Sequence, residues 1–515
     1  MSFARQGAAD RAGSPHGDFF GRLGRAAERF IDETSEHFIV LLILIGFVVL
    51  WMFFWTVSTA PIDIHIDADE AIIWARHFAF GYKHPPVTGW LFALWFAVFP
   101  PQKWAVDLLV VVSDAVALAV TWRLLRDHLD KNRALLGLIA LILIPLYTVK
   151  AEVLNANTVM MPFWAATLLF YLRARRGLGP LDSFLAGAFA SLTMLGKYWA
   201  VFLLAGMAVA AVTGPGARRF WRSSAPYVMA AGAIIFIAPH VWWLVSERGG
   251  GAIQFAESVA TSGPFSETLM KTVSYLVGAA MYIAAPLVFL AALRPSKAAL
   301  ADIIWPAEDD RRQALVLLIV PLVLPALVNL FIPFRITPDW TFPNWALLPV
   351  VLYGSSYLAI DTRATARAGL AGLAIVLAIV LASPVIACVR IVSEPDQFRP
   401  HFRQAADLAS KLSPQPVRFY GGSDAIVGGM QAYLPQARYM PLPLSAEGRA
   451  AVSAKGLVIV CLTSDLGCRK IAATMAVPGI APTTAALTRS FLGFSGPALD
   501  VEVVVVPPDA AGKGT

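Results

Sequence analysis

The sequence predicts a mainly α-helical membrane protein that carries a small α/β domain at its C-terminal end. Three observations lead to this class: 57% of the 515 residues are hydrophobic, only 15% are charged, and the apolar residues occur in long blocks. Soluble domains contain roughly 45–50% apolar and about 25% charged residues. A block of about 20 apolar residues matches the length that a helix needs to cross the hydrocarbon core of a bilayer.

About eleven apolar blocks are predicted to be membrane-spanning helices. They cover residues 38–58, 104–125, 134–149, 157–172, 181–196, 198–213, 225–245, 270–292, 313–332, 344–360 and 369–390. Several are short or contain Gly and Pro, which spanning helices tolerate where neighbouring helices satisfy the freed backbone groups. We therefore expect a helical membrane domain over residues 37–390.

The distribution of Lys and Arg predicts the orientation of these spans. The tail at residues 1–36 and alternate loops are rich in Arg, which is typical of the cytoplasmic side. Loop 59–103 and the other intervening loops are poorer in cations and are expected outside. An odd number of spans also places residues 391–515 outside. The tail lacks the pattern of a cleaved signal peptide, so the first span is expected to remain as an anchor.

Charge and motif content exclude several classes of function. The net charge of +7 is mostly the bias of the cytoplasmic loops, so it does not predict a nucleic-acid partner. The sequence has no Gly-rich phosphate-binding motif of the nucleotide-binding kind, which argues against an ATP-driven transporter. No cluster of His, Cys and carboxylates has the spacing of metal ligands, so the residues alone predict no metal site.

The C-terminal region differs in character from the membrane domain. Strand-like runs occur at Pro416–Tyr420, Leu457–Leu462 and Val501–Val506, and a helical pattern occurs at Phe402–Leu412. Alternation of such runs with Gly- and Pro-rich turns predicts a small α/β domain at residues 391–515.

The three cysteines give limited information. Cys461 and Cys468 would lie in an oxidising compartment, so a local disulfide and two free thiols both remain open. Cys388 falls in the last predicted span and is expected to be a small buried apolar residue.

Four carboxylates follow the first predicted span. They are Asp63, Asp67, Asp69 and Glu70. A cluster of this density beside a bilayer is either a solvated loop or a reaction centre. The alternative for Asp69 is a helix N-cap, with Glu70 stabilised by the helix dipole. The aromatic-rich stretch 87–99 that follows predicts an external amphipathic helix in the membrane interface.

Polar residues near the ends of other spans could act together with these carboxylates. They are Lys150, Glu152, Asn155, Asn157 and Lys197. Polar groups at membrane depth are costly unless they face a cavity, which favours a functional role. For Lys197 the alternative is a cation that extends to the interface.

These groups suit the transfer of a sugar from a lipid-linked phosphate. A carboxylate takes the proton from an attacking hydroxyl while a cation stabilises the leaving phosphate, and the sugar carbon is inverted. The predicted base is Asp69, with Asp67 as the competitor. The cations available for the phosphate are Lys83, His84, Lys197 and Arg335.

Four short motifs occur in a particular order along the chain. They are Asp69-Glu70 after the first span, His84-Pro85-Pro86, Gly196-Lys197-Tyr198 at a span junction, and Pro343-Asn344-Trp345 before a late span. This order resembles family 39 of the GT-C glycosyltransferases, relatives of the protein O-mannosyltransferases and the lipid A aminoarabinose transferases. The resemblance covers residues 38–390. It implies a GT-C-like bundle in the bacterial inner membrane, with a cytoplasmic N-terminus and with the active site and C-terminal domain in the periplasm.

The same resemblance implies roles for individual residues. Asp69 would be the catalytic base, Glu70 would support its loop, and His84 and Lys197 would lie near the donor phosphate. Further candidates for binding the donor phosphate or sugar are Tyr82, Lys83, Asn155, Asn157 and Arg335. Many family members have an acidic residue in the second outside loop, where this chain has amides at residues 154–158. A divalent metal at that position therefore remains open.

The Asn-Ala-Asn-Thr sequence at residues 155–158 is similar to a rhizobial subgroup that includes galacturonosyltransferases of the lipopolysaccharide core. A uronic acid presents a carboxylate, with which Lys83, Lys150 or Arg335 could pair.

The sequence is compatible with three functions. The first is inverting transfer of a sugar, galacturonic acid being one candidate, from a polyprenyl phosphate carrier to lipopolysaccharide core or lipid A. The second keeps the enzyme and changes the acceptor to a protein hydroxyl. The third is a secondary transporter or lipid flippase, which is less favoured because the sequence shows no pair of related halves.

Two further groups have simpler structural explanations. Arg335, Asp339 and Trp340 could form a lid or an acceptor contact, or could belong to the aromatic and basic belt at the membrane interface. His240 is expected to pack with the neighbouring tryptophans and to have its ring nitrogens hydrogen-bonded.

Overall fold

The computed structural model describes residues 15–76, 78–82, 84–177, 179–246, 257, 259–396 and 400–508. The candidate Lys83 lies outside the described residues. The predicted class is confirmed: the chain is mainly helical, and its sheet belongs to a small C-terminal domain.

The helices of the membrane part are α1 (Pro15–Glu33), α2 (Glu36–Ser58), α3 (Ile66–Trp74), α4 (Val87–Phe96), α5 (Lys103–Arg126), α6 (Lys131–Ile142), α7 (Ala156–Arg176), α8 (Pro180–Gly196), α9 (Val201–Val212), α10 (Ala217–Arg222), α11 (Ala225–Val245), α12 (Phe265–Tyr282), α13 (Ala284–Ala292), α14 (Lys297–Ile304), α15 (Asp309–Phe331), α16 (Leu348–Tyr353), α17 (Thr362–Leu381) and α18 (Ser383–Ser393). Short 3₁₀ helices lie at Pro145–Tyr147, Tyr198–Ala200 and Pro338–Leu347.

Five helices of the described residues are long and apolar enough to cross a membrane: α2, α5, α11, α15 and α17. The pair α12 and α13 can form a sixth span that is bent by 49°. The chain is therefore a multi-pass membrane protein. The predicted number of about eleven spans is not confirmed, because several of the predicted spans are shorter helices. Helices α6 and α9 have 12 residues each and α8 has 17.

The predicted span at residues 344–360 is not one helix. The 3₁₀ helix Pro338–Leu347 leads directly into α16, which has only six residues. Pro343 and Pro349 lack the backbone N–H that a regular α-helix needs at these positions. The segment is nevertheless buried from residue 341 to residue 353, so it forms part of the core of the membrane domain.

Helices α8 and α11 pack closely because glycines lie at their contact. A methyl group added at Gly187 would lie 1.9 Å from the carbonyl oxygen of Met229, and one at Gly232 would lie 2.3 Å from that of Phe184. Small residues allow this backbone approach in membrane helices. The contact fixes the C-terminal end of α11 near the end of α8, where the candidate Lys197 follows.

The C-terminal domain contains α19 (Phe402–Leu412), α20 (Asp424–Val427), a 3₁₀ helix at Gly428–Ala432, α21 (Ala446–Lys455) and α22 (Leu466–Met475). Its strands are β1 (Phe419–Gly422), β2 (Arg438–Tyr439), β3 (Leu457–Leu462), β4 (Thr483–Phe491) and β5 (Phe494–Val506). The strand order is β2-β1-β3-β5-β4, with β1 parallel to β2 and β3, and β5 antiparallel to β3 and β4. This arrangement confirms the predicted α/β domain, while its boundary at residue 391 stays a prediction.

The structure resolves the open question about the cysteines. Cys461 at the end of β3 and Cys468 in α22 form a disulfide, so the two-thiol alternative is wrong. Cys388 is a free cysteine in α18 and is half-buried.

Candidate active site

Helix α3 carries three of the four clustered carboxylates of the first outside loop, Asp67, Asp69 and Glu70. Its N-cap is His65, whose Nδ1 accepts a hydrogen bond from the backbone N–H of Asp67 at 3.1 Å. Asp69 lies further along the helix, so the alternative that Asp69 is the N-cap is wrong. N-capping therefore does not account for the Asp69 side chain.

Asp69 is buried, with 5% of its surface exposed, and its Oδ1 has no hydrogen-bond partner among the described residues. A methyl group added at Gly428 of the C-terminal domain would lie 3.8 Å from its Oδ2. Burial raises the pKa of Asp69 to about 7, with Asp63 and Glu70 adding to the increase and Arg76 opposing it. A general base works best when its pKa is close to the working pH, so this carboxylate suits proton abstraction near neutrality.

Asp67 occupies a different environment from Asp69. Its side chain is 45% exposed, and its Oδ2 lies 3.7 Å from Nδ1 of His65. The Asn155 Nδ2 donates to the same oxygen at 3.4 Å. Asn155 is the N-cap of α7 and accepts the backbone N–H groups of Asn157 and Thr158. Asp67 is therefore joined to the start of α7 through an amide.

Lys197 reaches the same helix end from the other side. It follows the last residue of α8, and its Nζ donates to Oδ1 of Asn157 at 2.6 Å. Nζ also lies 4.2 Å from the ring centroid of Trp340, a favourable cation–π distance. Burial lowers the pKa of Lys197 to about 7, with Asp67 opposing the decrease and Arg335 adding to it. Lys197 is thus held by two side chains and does not simply extend to the interface.

These residues form one continuous polar group, which we call the Asp67–Lys197 network. Its members are Asp67, Asn155, Asn157, Lys197 and Trp340. The network places a carboxylate and a cation on either side of the N-terminus of α7. The dipole of a helix also attracts anions to its N-terminus, although the N–H groups of Asn157 and Thr158 are already bonded to Asn155.

Tyr82 and His84 lie against the end of α3. The Tyr82 hydroxyl donates to the carbonyl oxygen of Trp74 at 2.8 Å, and the two rings stack at 4.9 Å. His84 meets the Trp74 ring edge-on at 5.6 Å. Both residues, which are predicted to bind the sugar donor, therefore lie near the end of α3, the helix that carries Asp69.

His240 connects this loop to Lys197. Its Nδ1 is 2.5 Å from the carbonyl oxygen of Phe80, and its Nε2 is 2.8 Å from the hydroxyl of Tyr198, the residue after Lys197. His240 also stacks on Trp243. The expectation of a packed histidine with both nitrogens bonded is confirmed.

The cations proposed for a sugar carboxylate differ in their contacts. Lys150 forms an ion pair with Asp339 at 2.8 Å, and Tyr282 donates its hydroxyl to the same carboxylate. Arg335 is exposed, and its backbone N–H donates to Val259 at 2.9 Å. Asp339 and Trp340 are adjacent, so one turn of the 3₁₀ helix contacts both Lys150 and Lys197.

Metal binding is not supported by the described residues, among which no group of three or more His, Cys, Asp or Glu could hold an ion. The amide oxygens of Asn155 and Asn157 are already bonded to backbone N–H groups and to Lys197. We therefore derive no step through a metal.

Sequence patterns assigned no role to Asp63 or Tyr433, which are hydrogen-bonded to each other across the boundary between the membrane part and the C-terminal domain. Asp63 was visible as a carboxylate of the cluster. No sequence pattern pointed to Tyr433, because a single tyrosine in a small domain of soluble type is not distinctive.

Comparison with known proteins places these features in a family context. The family model described as dolichyl-phosphate-mannose-protein mannosyltransferase matches residues 83–243. The lipid A galacturonosyltransferase RgtD of Rhizobium johnstonii is 24% identical over 316 residues, which are 60% of this chain and 63% of that protein. This chain thus aligns with slightly less than two thirds of that relative's length.

Solved structures show the same overall fold. ArnT from Cupriavidus metallidurans bound to undecaprenyl phosphate superposes with a TM-score of 0.60 at 13% identity, covering 93% of this chain and all of ArnT. The apo form of that protein gives a TM-score of 0.59 at 14% identity, covering 92% of this chain and 99% of ArnT. At this identity the likeness concerns the fold.

Proposed function

We propose that this protein, which has the GT-C glycosyltransferase fold, transfers a sugar from a polyprenyl phosphate carrier to a lipid acceptor at the outer face of the bacterial inner membrane. The observation that carries the proposal is the Asp67–Lys197 network, which reaches α3 at Asp67, two residues before the buried carboxylate of Asp69 on the same helix. It brings a cation, a helix N-terminus and a candidate base to one end of the bundle.

In the proposed reaction the donor phosphate binds at Lys197 and the N-terminus of α7. The bond between the sugar C1 and the phosphate oxygen breaks, and C1 bonds to the acceptor oxygen with inversion. Asp69 takes the proton of the attacking hydroxyl, and polyprenyl phosphate leaves with its negative charge opposite Lys197. Bound phosphate would also raise the pKa of Lys197 and keep the amine charged.

Galacturonic acid is the sugar that we favour, and lipid A or lipopolysaccharide core is the favoured acceptor. RgtD is a lipid A galacturonosyltransferase, and its similarity to this chain supports the choice. Lys150 and Arg335 are cations near the network that could pair with a uronic carboxylate, although Lys150 would first have to leave Asp339.

A protein hydroxyl is the second candidate acceptor, because the matched family model is described as a protein mannosyltransferase. The transporter alternative receives no support from these relatives, which are named as transferases. The disulfide between Cys461 and Cys468 fits an oxidising periplasm and so supports placing the C-terminal domain there.

Transfer by purified protein in lipid nanodiscs would test the proposal. Polyprenyl phosphate galacturonic acid and polyprenyl phosphate mannose would each be offered with lipid A and with a Ser/Thr-rich peptide, and products would be identified by mass spectrometry. We expect galacturonic acid on lipid A, no product with Asp69→Asn, and full activity with Asp500→Asn, a control at an exposed carboxylate of β5. Mannosyl peptide as the product would favour the second candidate.

A further inference from the structure

The carboxylate of Asp63 binds the C-terminal domain to the outer loop of the membrane part. Its Oδ1 accepts the hydroxyl of Tyr433 and the backbone N–H of Ile64, the latter at 2.8 Å. Its Oδ2 accepts the backbone N–H of Arg403 at 2.7 Å. Arg403 lies in the first turn of α19, where a carboxylate is also stabilised by the helix dipole.

A second contact lies further along the same loop, on α3. The 3₁₀ helix Gly428–Ala432 packs on α3, and Gly428 lies beside the Asp69 carboxylate. The buried hydroxyl of Tyr420 has no hydrogen-bond partner among the described residues. Burial raises the pKa of Tyr420, and the charge of Asp69 adds to the increase. The C-terminal domain therefore covers the candidate base and excludes water from it.

A cleft of about 980 Å³ borders the same contact. It opens between the C-terminal domain and the start of α5, and its lining includes Asp63, Tyr433 and Lys103. Asp69 is not part of the lining, whereas Asp63, whose charge raises the pKa of Asp69, and Tyr433 are.

We propose that Asp63 is a positioning residue for Asp69: it fastens the C-terminal domain over α3 and places a second negative charge beside the base, so that this domain completes the catalytic site. The inference rests on the proposed function, because Asp69 acts as a base only if the protein is a transferase. The contact itself can be measured whether or not the chain is a transferase.

The charged groups around Asp69 determine the sign of the expected effect. Burial raises its pKa most, Asp63 and Glu70 raise it further, and Arg76 lowers it. The C-terminal domain contributes the phenols of Tyr420 and Tyr433, which carry no charge at neutral pH, and Arg403, which acts on Tyr433. Burial also raises the pKa of Asp63, against the hydrogen bonds that its carboxylate accepts. Removing the negative charge that Asp63 carries when deprotonated, or loosening the cover over Asp69, would therefore lower the pKa of Asp69.

Four variants of the full-length protein in nanodiscs would test the inference: Asp63→Asn, Asp63→Glu, Tyr433→Phe and Tyr439→Phe. Tyr439→Phe is the matched control, since it removes another tyrosine–aspartate bond of the same domain, that with Asp424 at 2.7 Å. The two readouts are hydrogen exchange of the α3 amides and the pH profile of kcat/KM.

We expect faster exchange of α3 in Asp63→Asn and Tyr433→Phe, and an acid limb of the pH profile that moves down by roughly one pH unit in Asp63→Asn. Asp63→Glu should restore the profile, and Tyr439→Phe should change neither readout. If Asp63→Asn does not accumulate, Tyr433→Phe, which lacks a single oxygen, supplies the exchange measurement.

Failure of the inference can be told apart from failure of the proposed function. Active wild-type protein with an unshifted Asp63→Asn profile would overturn the positioning role and leave the transferase standing. Absence of any sugar transfer by the wild type would overturn the proposed function. In that case unchanged exchange of α3 in Tyr433→Phe would also overturn the fastening contact.

Discussion

Lys197 donates a 2.6 Å hydrogen bond to Asn157 and so joins the end of α8 to the first turn of α7. The same amine lies over the ring of Trp340. A lysine held in this way between two membrane helices has its position fixed before any ligand binds. A donor phosphate would find the cation already in place, beside the N-terminus of α7.

Replacing Lys197 should weaken donor binding. A hydrogen bond to a charged group contributes roughly 1.5–3 kcal/mol, so Lys197→Met should raise the KM for the donor about 10- to 100-fold. Lys197→Arg should retain part of the affinity, whereas Lys271→Met, at an exposed ion pair of α12, should have no effect. Donor titration of the purified variants measures this, and an unchanged KM in Lys197→Met would exclude a phosphate contact.

Activity should depend on pH through Asp69. Its pKa is raised to about 7, and a base acts in its deprotonated form, so kcat/KM should rise as the pH increases through about 7. Asp69→Asn should reduce kcat/KM at least about 100-fold above pH 7, and its difference from the wild type should shrink as the pH falls below about 7, where Asp69 of the wild type becomes protonated. Asp67→Asn should mainly raise the donor KM, because Asp67 contacts the network through Asn155.

A reversed outcome would change the assignment of the base. Loss of kcat in Asp67→Asn together with an active Asp69→Asn would make Asp67 the base. The pH profiles of both variants would be compared with that of Asp500→Asn.

The burial of Asp69 should also reduce the stability of the protein. A carboxyl whose folded pKa exceeds its ordinary value contributes less to stability as the pH rises from about 4 to about 7, because the folded state then holds a proton that the unfolded state has lost. The shift to about 7 corresponds to at most roughly 4 kcal/mol.

Asp69→Asn should therefore be more stable than the wild type at pH 8 and should lose that advantage towards pH 4. Unfolding in denaturant at several pH values measures the difference. A stability difference that stays constant with pH would show that Asp69 does not titrate in this range.

Sequence patterns could predict what depends on local composition. The apolar blocks predicted the helical class, and the strand-like run at 457–462 predicted β3. The cluster 63–70 pointed to the region of the proposed site. Prediction failed where distant residues meet. Asp63 and Tyr433 are 370 positions apart, and no local pattern shows that they are bonded.

The number of spans could not be obtained from hydropathy for a related physical reason. Residues 341–353 are as apolar as a span, yet they are buried as a 3₁₀ helix and a short α-helix. Burial inside protein and burial in lipid select the same residue types, so composition does not distinguish them.

The ion pair between Lys150 and Asp339 should limit access of a sugar carboxylate to Lys150. Asp339→Asn frees the amine, so it should lower the KM for a uronic acid donor and leave the KM for a neutral sugar donor unchanged. The change for such an exposed pair is expected to be small, about 2- to 5-fold, since surface ion pairs contribute up to about 1 kcal/mol. Equal changes in KM for both donors would show that Lys150 does not bind the carboxylate of the sugar.

The most direct test of the central claim is mass spectrometry of envelope glycolipids from three strains. One carries the native chain, one carries Asp69→Asn at equal membrane abundance, and one lacks the chain. We predict that the mass of one sugar, that of galacturonic acid, is lost from lipid A or core in both deficient strains. Unchanged glycolipids in all three would contradict transfer to a lipid acceptor, and a loss only in the strain without the chain would contradict Asp69 as the base.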